Sequence, residues 1–267
     1  MAKWVNEVLH DPALQQYRPQ RPWQAAQIEE HLLFLHYRFH PDGLRALVPP
    51  ALELVTYDGS AWVALIAFHM ADVRLRMLPL PMPRSWRSGG EIDLAVPVRH
   101  RGRHGMYFLS IEGANRFTSW VTRRSSGLPY LHSPNLTVHA EGNGFRAVSG
   151  PRWVRGRAAA EFDAHYARWQ PAQVPDPGSP VELLTGQYSA FTLHRGHVCE
   201  LDEIHQLWEL HEAEVEMRQN TLLDAAGIGG RQPELQHYSP GRKIVSWLPA
   251  PVGANRTGLA PADPVNH

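Results

Sequence analysis

Apolar and polar residues alternate in the segment 91–131, and this alternation predicts the part of the fold around which the rest is arranged. Four apolar residues recur at every second position, as in a strand with one buried face. They are Ile92, Leu94, Val96 and Val98. A glycine-bearing turn at 100–105 leads into a second apolar strand at 106–111. We expect a third strand at 117–121, which runs through two arginines into a Gly-Leu-Pro-Tyr corner at 127–130.

Further strand-like segments lie on both sides of this wall. They cover residues 32–39, 52–55, 61–70, 136–147 with a hairpin turn at Asn143-Gly144, 154–169, 191–197, 211–217 and 244–248. Short helices are predicted at 42–47, at 179–184 behind the capping box Ser179-Pro180-Val181-Glu182, and at 221–226 before Gly227. The segment 73–90 has no periodicity and is either a loop over a cavity mouth or a plain connection.

Many short strands with few short helices predict an α+β fold that is mostly antiparallel and built on a strongly curved sheet. We divide the chain into an N-terminal helical arm at 1–30, a single domain at 31–250 and a flexible tail at 251–267. The buried strands and the tight corner predict one wall and the rim of a pocket for a small molecule.

Composition narrows the classes of partner. The 267 residues are 43% hydrophobic and 19% charged with a formal net charge of zero, which argues against a dedicated nucleic-acid or membrane-surface binder. Cys199 is the only cysteine, so an intramolecular disulfide is excluded. No apolar run approaches the roughly 20 residues of a spanning helix. We therefore expect a soluble cytoplasmic protein without a cofactor. A homo-oligomer is compatible with the sequence.

The charged residues offer few complete catalytic patterns. Sixteen histidines include three close pairs, but none forms an HExxH-like helical motif, so we expect no metal site. The chain has neither a G-x-S-x-G elbow nor a phosphate-binding glycine loop. Glu91, Arg99, Arg123 and Arg124 lie near the predicted corner, where a guanidinium can grip a carboxylate bidentately. The alternative is that these four are solvated edge charges.

Five stretches follow one another in an order that resembles a known family. They are 36–70, 105–111, the corner 127–130, 182–188 and 203–210, and 237–240 before the last strand also fits. This order is similar to that of the YqjF-like family of uncharacterised bacterial proteins, within the acetoacetate decarboxylase-like superfamily. The resemblance spans roughly residues 30–250 and implies a cone-shaped, mostly antiparallel β-barrel that encloses a small-molecule cavity, with a few peripheral helices.

The resemblance does not carry the decarboxylase chemistry with it. Acetoacetate decarboxylases form a Schiff base on a reactive lysine that follows a Gly-Phe-Pro corner. Here the similar corner ends in Tyr130 and Leu131, which cannot form an imine. Lysine occurs only at Lys3 and Lys243, and Lys243 lies on a different predicted strand. An exposed Lys243 is the expected arrangement, and a relocated Schiff base is the alternative.

The chain also departs from the family pattern at three ionic positions. Ala95 stands where members carry arginine, and Gly186 and Gln187 stand where members carry glutamate and arginine. The Trp208 motif has Leu207 and Glu209 in place of two prolines. Either this cavity is less polar and takes a different ligand, or a buried structural ion network has been lost as a unit.

Two hypotheses of different class follow. The first is a small-molecule-binding protein, with or without enzymatic activity, that accepts a carbonyl or carboxylate compound and forms no Schiff base. Glu91 would be its acid, base or hydrogen-bond acceptor, Arg123 its anion grip and Tyr130 its polar handle, with Arg99 and His36 as further ligand contacts. The second is a non-catalytic binding or structural protein, either monomeric or oligomeric, whose cavity is filled by core side chains.

Overall fold

Strands dominate this protein, and the helices lie at its periphery. The computed structural model describes residues 2–77, 83–153, 159–176, 178–194 and 196–252. The strands are β1 (Ala25–Phe39), β2 (Glu53–Leu54), β3 (Thr56–Tyr57), β4 (Ser60–Leu75), β5 (Gly89–His100), β6 (Arg103–Gly113), β7 (Tyr130–His132), β8 (Thr137–Glu141), β9 (Gly144–Arg152), β10 (Ala160–Arg168), β11 (Ser189–His194), β12 (His197–His205), β13 (His211–Asn220), β14 (Leu235–Ser246) and β15 (Ala250–Pro251). The α-helices are α1 (Lys3–Leu9), α2 (Pro41–Arg45), α3 (Arg116–Ser126), α4 (Pro180–Thr185) and α5 (Leu222–Ala226).

Seven strands pair into a closed, uneven ring. The order around it is β1, β4, β5, β6, β11, β12, β14 and back to β1. All of these pairings are antiparallel except β6 with β11, which is parallel and short. The ring closes where β12 pairs with β14. Because these seven strands close on one another, each of them has one face outside the ring and one face inside it.

A second antiparallel sheet of β8, β9, β10 and β13 continues from β14 and covers part of the outer face of the ring. The largest hydrophobic cluster lies between the two layers. Its ring residues alternate along β1, β4 and β5, for example Leu33, Val63 and Leu94. Phe162 and Tyr166 of β10 pack against them. The period-two pattern of the sequence therefore marks the outer face of the ring, where apolar area is buried against another sheet.

The N-terminal segment packs on the ring at β14. Val5, Val8 and Leu9 of α1 form a cluster with Val245 and Trp247. β1 begins at Ala25, within the segment assigned to the arm, and β15 ends at Pro251. Residues 253–267, the greater part of the expected tail, lie outside the described residues. In the described part of the chain, no helix has the length and apolar composition needed to cross a membrane.

One predicted element is wrong. The segment 117–121, expected as a strand, belongs to helix α3. The side chain of Asn115 caps the helix by accepting hydrogen bonds from the backbone N–H groups of Phe117 and Thr118. The helix ends at Gly127, whose φ of 74° is readily adopted by glycine. The β-branched and aromatic residues of this segment favour a strand, but the caps at Asn115 and Gly127 stabilise a helix.

Other expectations need smaller corrections. The hairpin turn is formed by Gly142 and Asn143, one residue earlier than predicted, because Glu141 pairs with Gly144. Helix α4 begins behind Ser179, whose hydroxyl accepts a hydrogen bond from the Glu182 N–H, as the capping box predicts. Of the segment expected as one strand at 154–169, residues 154–158 lie outside the described chain, as do residues 78–82 of the expected loop.

We predict that the ion pair between Glu112 of β6 and Arg152 of β9 ties the ring to the second sheet. The Glu112 side chain is 1% exposed and Arg152 Nε donates to its Oε2 at 2.8 Å. Arg152→Met leaves a buried carboxylate without its partner, so the free energy of unfolding should fall by about 3–5 kcal/mol in urea titrations. Arg99→Met, which breaks the exposed pair with Glu53, is the matched control and should change it by less than about 1 kcal/mol. Equal losses in the two variants would contradict this role.

Candidate functional site

Four carboxyl groups from separate strands face the inside of the ring. They belong to Glu29 of β1, Glu91 and Asp93 of β5, and Glu203 of β12. The negative charges of Glu29 and Glu203 raise the pKa values of Glu91 and Asp93, and that of Glu29 raises the pKa of Glu203. The strands that carry them, β1, β5 and β12, are not neighbours in the ring. This mutual influence therefore acts across the ring interior. Glu29, Glu91 and Asp93 are buried, and Glu203 is partly buried.

The corner after α3 delivers Tyr130 to this cluster. Gly127 ends the helix, the Ser126 hydroxyl accepts a hydrogen bond from the Leu128 N–H at 3.1 Å, and β7 then starts at Tyr130. Tyr130 pairs in parallel with Ile111 of β6, which places its side chain on the inner face. The phenol donates to Glu91 Oε1 at 3.3 Å. Two of the predicted site residues, Glu91 and Tyr130, are thus in direct contact.

Burial raises the pKa values of all four acids. Burial, reinforced by Glu29 and Glu203, raises the pKa of Glu91 to about 8, against a smaller opposing effect of the Tyr130 hydroxyl. Burial and Glu29 raise the pKa of Glu203 to about 7. Burial also raises the pKa of Glu29, and burial together with Glu91 raises that of Asp93. A carboxylic acid that remains protonated near neutral pH can donate a hydrogen bond or a proton to a ligand.

Arg242 of β14 is the cation of this interior among the described residues. It stands opposite Glu29 in the β1–β14 register, and its guanidinium lies against the Trp208 ring. Its Nη1 donates to His205 Nδ1 at 2.6 Å and to the Gln206 carbonyl at 3.1 Å. Because a guanidinium only donates, His205 Nδ1 must accept, and its Nε2–H is then free to donate to the Gln187 carbonyl 3.1 Å away. Burial, then Arg242, lowers the pKa of His205 to about 3, in keeping with this neutral form.

A second group of polar side chains lies one row along the strands from the acids. His36 of β1 stands opposite Ala64, which stands opposite Ala95. His36 is fully buried, and burial, with a contribution from His237, lowers its pKa to about 3. Neither of its ring nitrogens has a hydrogen-bond partner among the described residues, and the same is true of Trp62 Nε1 and His237 Nδ1. Such buried polar atoms usually have a partner in native proteins.

The remaining predicted ligand residues lie elsewhere. Arg123 is exposed on α3, and its Nη1 donates to the backbone carbonyl of Tyr130 at 3.4 Å, so it contacts the corner from outside. Arg99 is exposed and forms an ion pair with Glu53 at 2.8 Å. Lys243 points away from the ring interior, with its Nζ 3.0 Å from a carboxylate oxygen of Glu7. Their roles in binding stay predictions, and the structure groups only Glu91 and Tyr130 directly, with His36 further along the same inner face.

Sequence reasoning missed most of the acid cluster. Asp93 alternates with Ile92 and Leu94, and in a strand with one buried face such alternation predicts a solvated position for an acid. Glu29 and Glu203 lie about 60 and 110 residues from Glu91 in the chain and meet it only because the ring closes. No local signal distinguishes them, since Glu29 adjoins Glu30 and Glu203 adjoins Asp202 in strands that alternate polar and apolar residues.

A cavity of about 420 Å³ lies on the other side of the corner. It is bordered by β6, β11, α5 and the backbone of Gly127 and Pro129. Tyr107 and Phe191 belong to its lining and also to the cluster on the outer face of the ring. This cavity therefore lies outside the ring, separate from the carboxyl cluster. In the described residues, no group of three or more His, Cys, Asp or Glu side chains is arranged to hold a metal ion.

The segment that matches known sequences includes all residues of this site. A model of the family described as DUF2071, "Uncharacterized conserved protein", matches residues 26–243, which include the four acids, Tyr130 and Arg242. The "Uncharacterized protein YqjF" of Bacillus subtilis (strain 168) is 31% identical over 233 residues, which is 86% of this chain and 93% of that protein. The expected family resemblance is thereby confirmed.

Solved structures confirm the expected fold. Acetoacetate decarboxylase from Legionella pneumophila subsp. pneumophila str. Philadelphia 1 superposes with a TM-score of 0.59 at 15% identity, over 96% of this chain and 97% of that one. The enduracididine biosynthesis enzyme MppR, solved in complex with pyruvate, gives a TM-score of 0.54 at 14% identity, over 86% and 90%. At such identities the likeness establishes the acetoacetate decarboxylase-like fold and leaves the activity open.

We predict that Glu91→Gln stabilises the protein at alkaline pH. The pKa of Glu91 is raised from 4.5 to about 8 in the folded chain, so below pH 4.5 the carboxyl is neutral in both folded and unfolded states. As the pH rises from there to about 8, only the unfolded chain ionises freely, and the wild type loses stability. The free energy of unfolding of Glu91→Gln should exceed that of the wild type by roughly a few kcal/mol at about pH 8.5 and differ little at about pH 4.5.

Urea titrations at the two pH values measure this difference. The exposed Glu53→Gln is the matched control and should change the free energy of unfolding by less than about 1 kcal/mol at both. An advantage of Glu91→Gln that does not grow with pH would show that folding does not raise the pKa of Glu91.

Proposed function

We propose a function for this chain from one premise: it belongs to the DUF2071 family of uncharacterized conserved proteins, with an acetoacetate decarboxylase-like fold. The chain binds a small carbonyl- or carboxylate-bearing molecule inside the strand ring and forms no Schiff base with it. Glu91 and Tyr130 contact the ligand's oxygen, and His36 contacts its other end. Whether a reaction follows depends on the proton held at Glu91.

The observation that supports a ligand site is the concentration of unpartnered polar atoms on the inner face of the ring. His36 Nδ1 and Nε2, Trp62 Nε1, Asp93 Oδ1 and His237 Nδ1 are all buried and find no hydrogen-bond partner in the described chain. Leaving one such group unsatisfied costs about 1–3 kcal/mol, so a structure rarely gathers several without a use. A polar ligand with both donors and acceptors satisfies them together.

The carbonyl assignment rests on Glu91 and Tyr130. The phenol is 3.3 Å from the carboxyl, and the pKa of Glu91, raised by burial, keeps that carboxyl protonated near neutral pH. When the phenol turns its O–H from Glu91 to a ligand, the phenol and the protonated carboxyl together provide two O–H donors at the inner end of the corner. Two donors aimed at one oxygen are the arrangement that polarises a carbonyl group and stabilises negative charge developing on it. MppR, which shares the fold, was solved with the oxo acid pyruvate.

The positions of the lysines support binding without an imine. The corner position that resembles the lysine corner of acetoacetate decarboxylases carries Tyr130. Lys3 is exposed on α1, and Lys243 is paired with Glu7 on the outside of the ring. The sequence contains no further lysine. A Schiff base would require one of these two side chains to enter the interior through the sheet.

We predict that borohydride leaves the protein mass unchanged in the presence of pyruvate, because no side-chain amine reaches the ligand. Intact-protein mass spectrometry measures the result. A reduced adduct mapped to Lys243 would overturn the non-covalent assignment, whereas an adduct at Lys3 that also forms in urea would reflect surface reactivity alone.

We predict that the ring interior binds methyl pyruvate, which keeps the ketone without a charge, and that Tyr130→Phe weakens this binding about fivefold through the loss of one hydrogen bond. Calorimetric titration or ligand-observed NMR measures the affinity. Tyr57→Phe, at an exposed tyrosine of β3, is the matched control and should leave the affinity unchanged. Comparison with pyruvate tells whether the carboxylate helps or hinders.

The competing function is a non-catalytic structural protein with a filled interior. Bulky inner-face side chains such as Phe34, Phe68 and Trp208, which pack in one cluster, favour it. Its expected result is no binding of either pyruvate or methyl pyruvate, together with a loss of stability in both Glu91→Ala and Arg123→Ala.

A further inference from the structure

We propose that the molecule bound inside the ring carries a positively charged group, an ammonium or a guanidinium, and that Glu29, Asp93 and Glu203 receive it. This inference deepens the proposed function and rests on it, since it specifies the chemical class of the same ligand. It concerns the part of the interior beyond the Glu91–Tyr130 contact. An anionic small molecule would be excluded from that part.

The interior of the ring holds more acidic groups than cations. Four carboxyl groups, on β1, β5 and β12, and one guanidinium, on β14 opposite Glu29, face it among the described residues, so four negative charges against one positive charge leave a net charge of −3 when all are ionised. The other cations on these strands are already paired with carboxylates outside the acid cluster, including Arg38, which lies two residues beyond His36 on the same face of β1 and pairs with Glu234. Arg103 binds Glu200, Arg21 binds Asp202, and Lys243 binds Glu7. The chain itself therefore supplies too little positive charge for its interior acids.

Asp93 provides an independent observation. Its side chain is buried with 8% of the residue exposed, and Oδ1 has no hydrogen-bond partner in the described chain. Asp93 is the middle of three inner-face positions of β5, between Glu91 and Ala95. The free oxygen therefore stands between the acid group and the row of His36, Ala64 and Ala95. An N–H donor from a ligand lying along β5 would give Asp93 Oδ1 a hydrogen-bond partner.

Arg242 does not neutralise the cluster. Its Nη1 is directed to His205 Nδ1 and the Gln206 carbonyl, and it forms no ion pair with a carboxylate in the described part of the chain. A neutral His205 accepts from it, so no second cation is produced there. Arg242 lowers the pKa values of Glu29 and Glu203, but burial outweighs this effect for both.

In the free protein, protons take the place that the ligand cation takes on binding. The polar and charged groups that face the acids come from five strands: Glu29 and Gln27 on β1, Glu91 and Asp93 on β5, Tyr130 on β7, Glu203 and His205 on β12, and Arg242 on β14. A cation favours the ionised carboxylates, so its binding releases protons and strengthens as the pH rises through 7 to 8. An ammonium has three N–H donors and a guanidinium five, which suits several carboxylate acceptors.

Three probes of equal chain length test the inference: butylamine, 1-butanol and butyrate. Butylamine should bind wild-type protein, with an affinity that rises roughly tenfold or more between about pH 6 and about pH 8.5, because the carboxyl groups ionise over this range while the amine stays protonated. Its calorimetric enthalpy should differ between phosphate and Tris buffers, which reports proton release. Butanol should bind more weakly and butyrate not at all.

Two near-isosteric variants locate the cation. Asp93→Asn and Glu203→Gln should each weaken butylamine binding by roughly tenfold, as expected for the loss of a charge-assisted hydrogen bond. Glu53→Gln on the exterior should leave it unchanged. Circular dichroism confirms that each variant is folded. Butyrate binding as tight as that of butylamine, or butylamine affinity that is indifferent to both variants, would overturn the inference.

Methyl pyruvate separates the two proposals. If it binds and butylamine does not, the cation assignment alone fails. If butylamine binds and methyl pyruvate does not, the cation assignment stands and the carbonyl assignment fails. Failure of both probes to bind the folded wild type overturns the interior site as a whole.

Discussion

The pairing of β12 with β14 is the constraint on which the rest of this structure depends. It joins Glu203 to Ser246 and His205 to Ile244, and it converts an open curved sheet into a closed ring. In an open antiparallel sheet, the face opposite the core is bathed in water, and acidic residues there are unremarkable. Closure turns that face into an interior. The same alternation that buries Leu94 on one side then encloses Asp93 on the other.

Enclosure gives the acids their chemistry at the expense of stability. Burial and mutual repulsion move the pKa of Glu91 to about 8 and that of Glu203 to about 7, values at which a carboxyl can exchange a proton in the physiological range. Neutral replacements of similar shape would relieve the repulsion at no loss of packing. Features that reduce stability while leaving the fold intact are typical of functional sites. The acids therefore indicate function more strongly than the histidines or the surface arginines do.

How far the sequence predicts this molecule depends on whether a feature is local. The strand from Ile92 to Val98, helix α4 behind Ser179 and helix α5 before Gly227 follow from residues within a few positions of each other, and they are present. Helix α3 is also local, but its composition predicts a strand, and the helix cap at Asn115 is not apparent from the sequence pattern. The acid cluster is not local. It requires the register of β1 with β14 and of β12 with β14, which periodicity within one strand does not determine.

The residue at the corner and the charge of the interior fit one another. A Schiff base needs a neutral amine, and acetoacetate decarboxylases obtain one by lowering the pKa of a lysine with a neighbouring cation and an apolar pocket. Four carboxyl groups would act in the opposite direction, since nearby negative charges stabilise an ammonium. A lysine in place of Tyr130 would therefore remain protonated and unreactive beside Glu91. The electrostatics that make this interior unsuitable for an amine nucleophile of the protein favour an ammonium that arrives on the ligand.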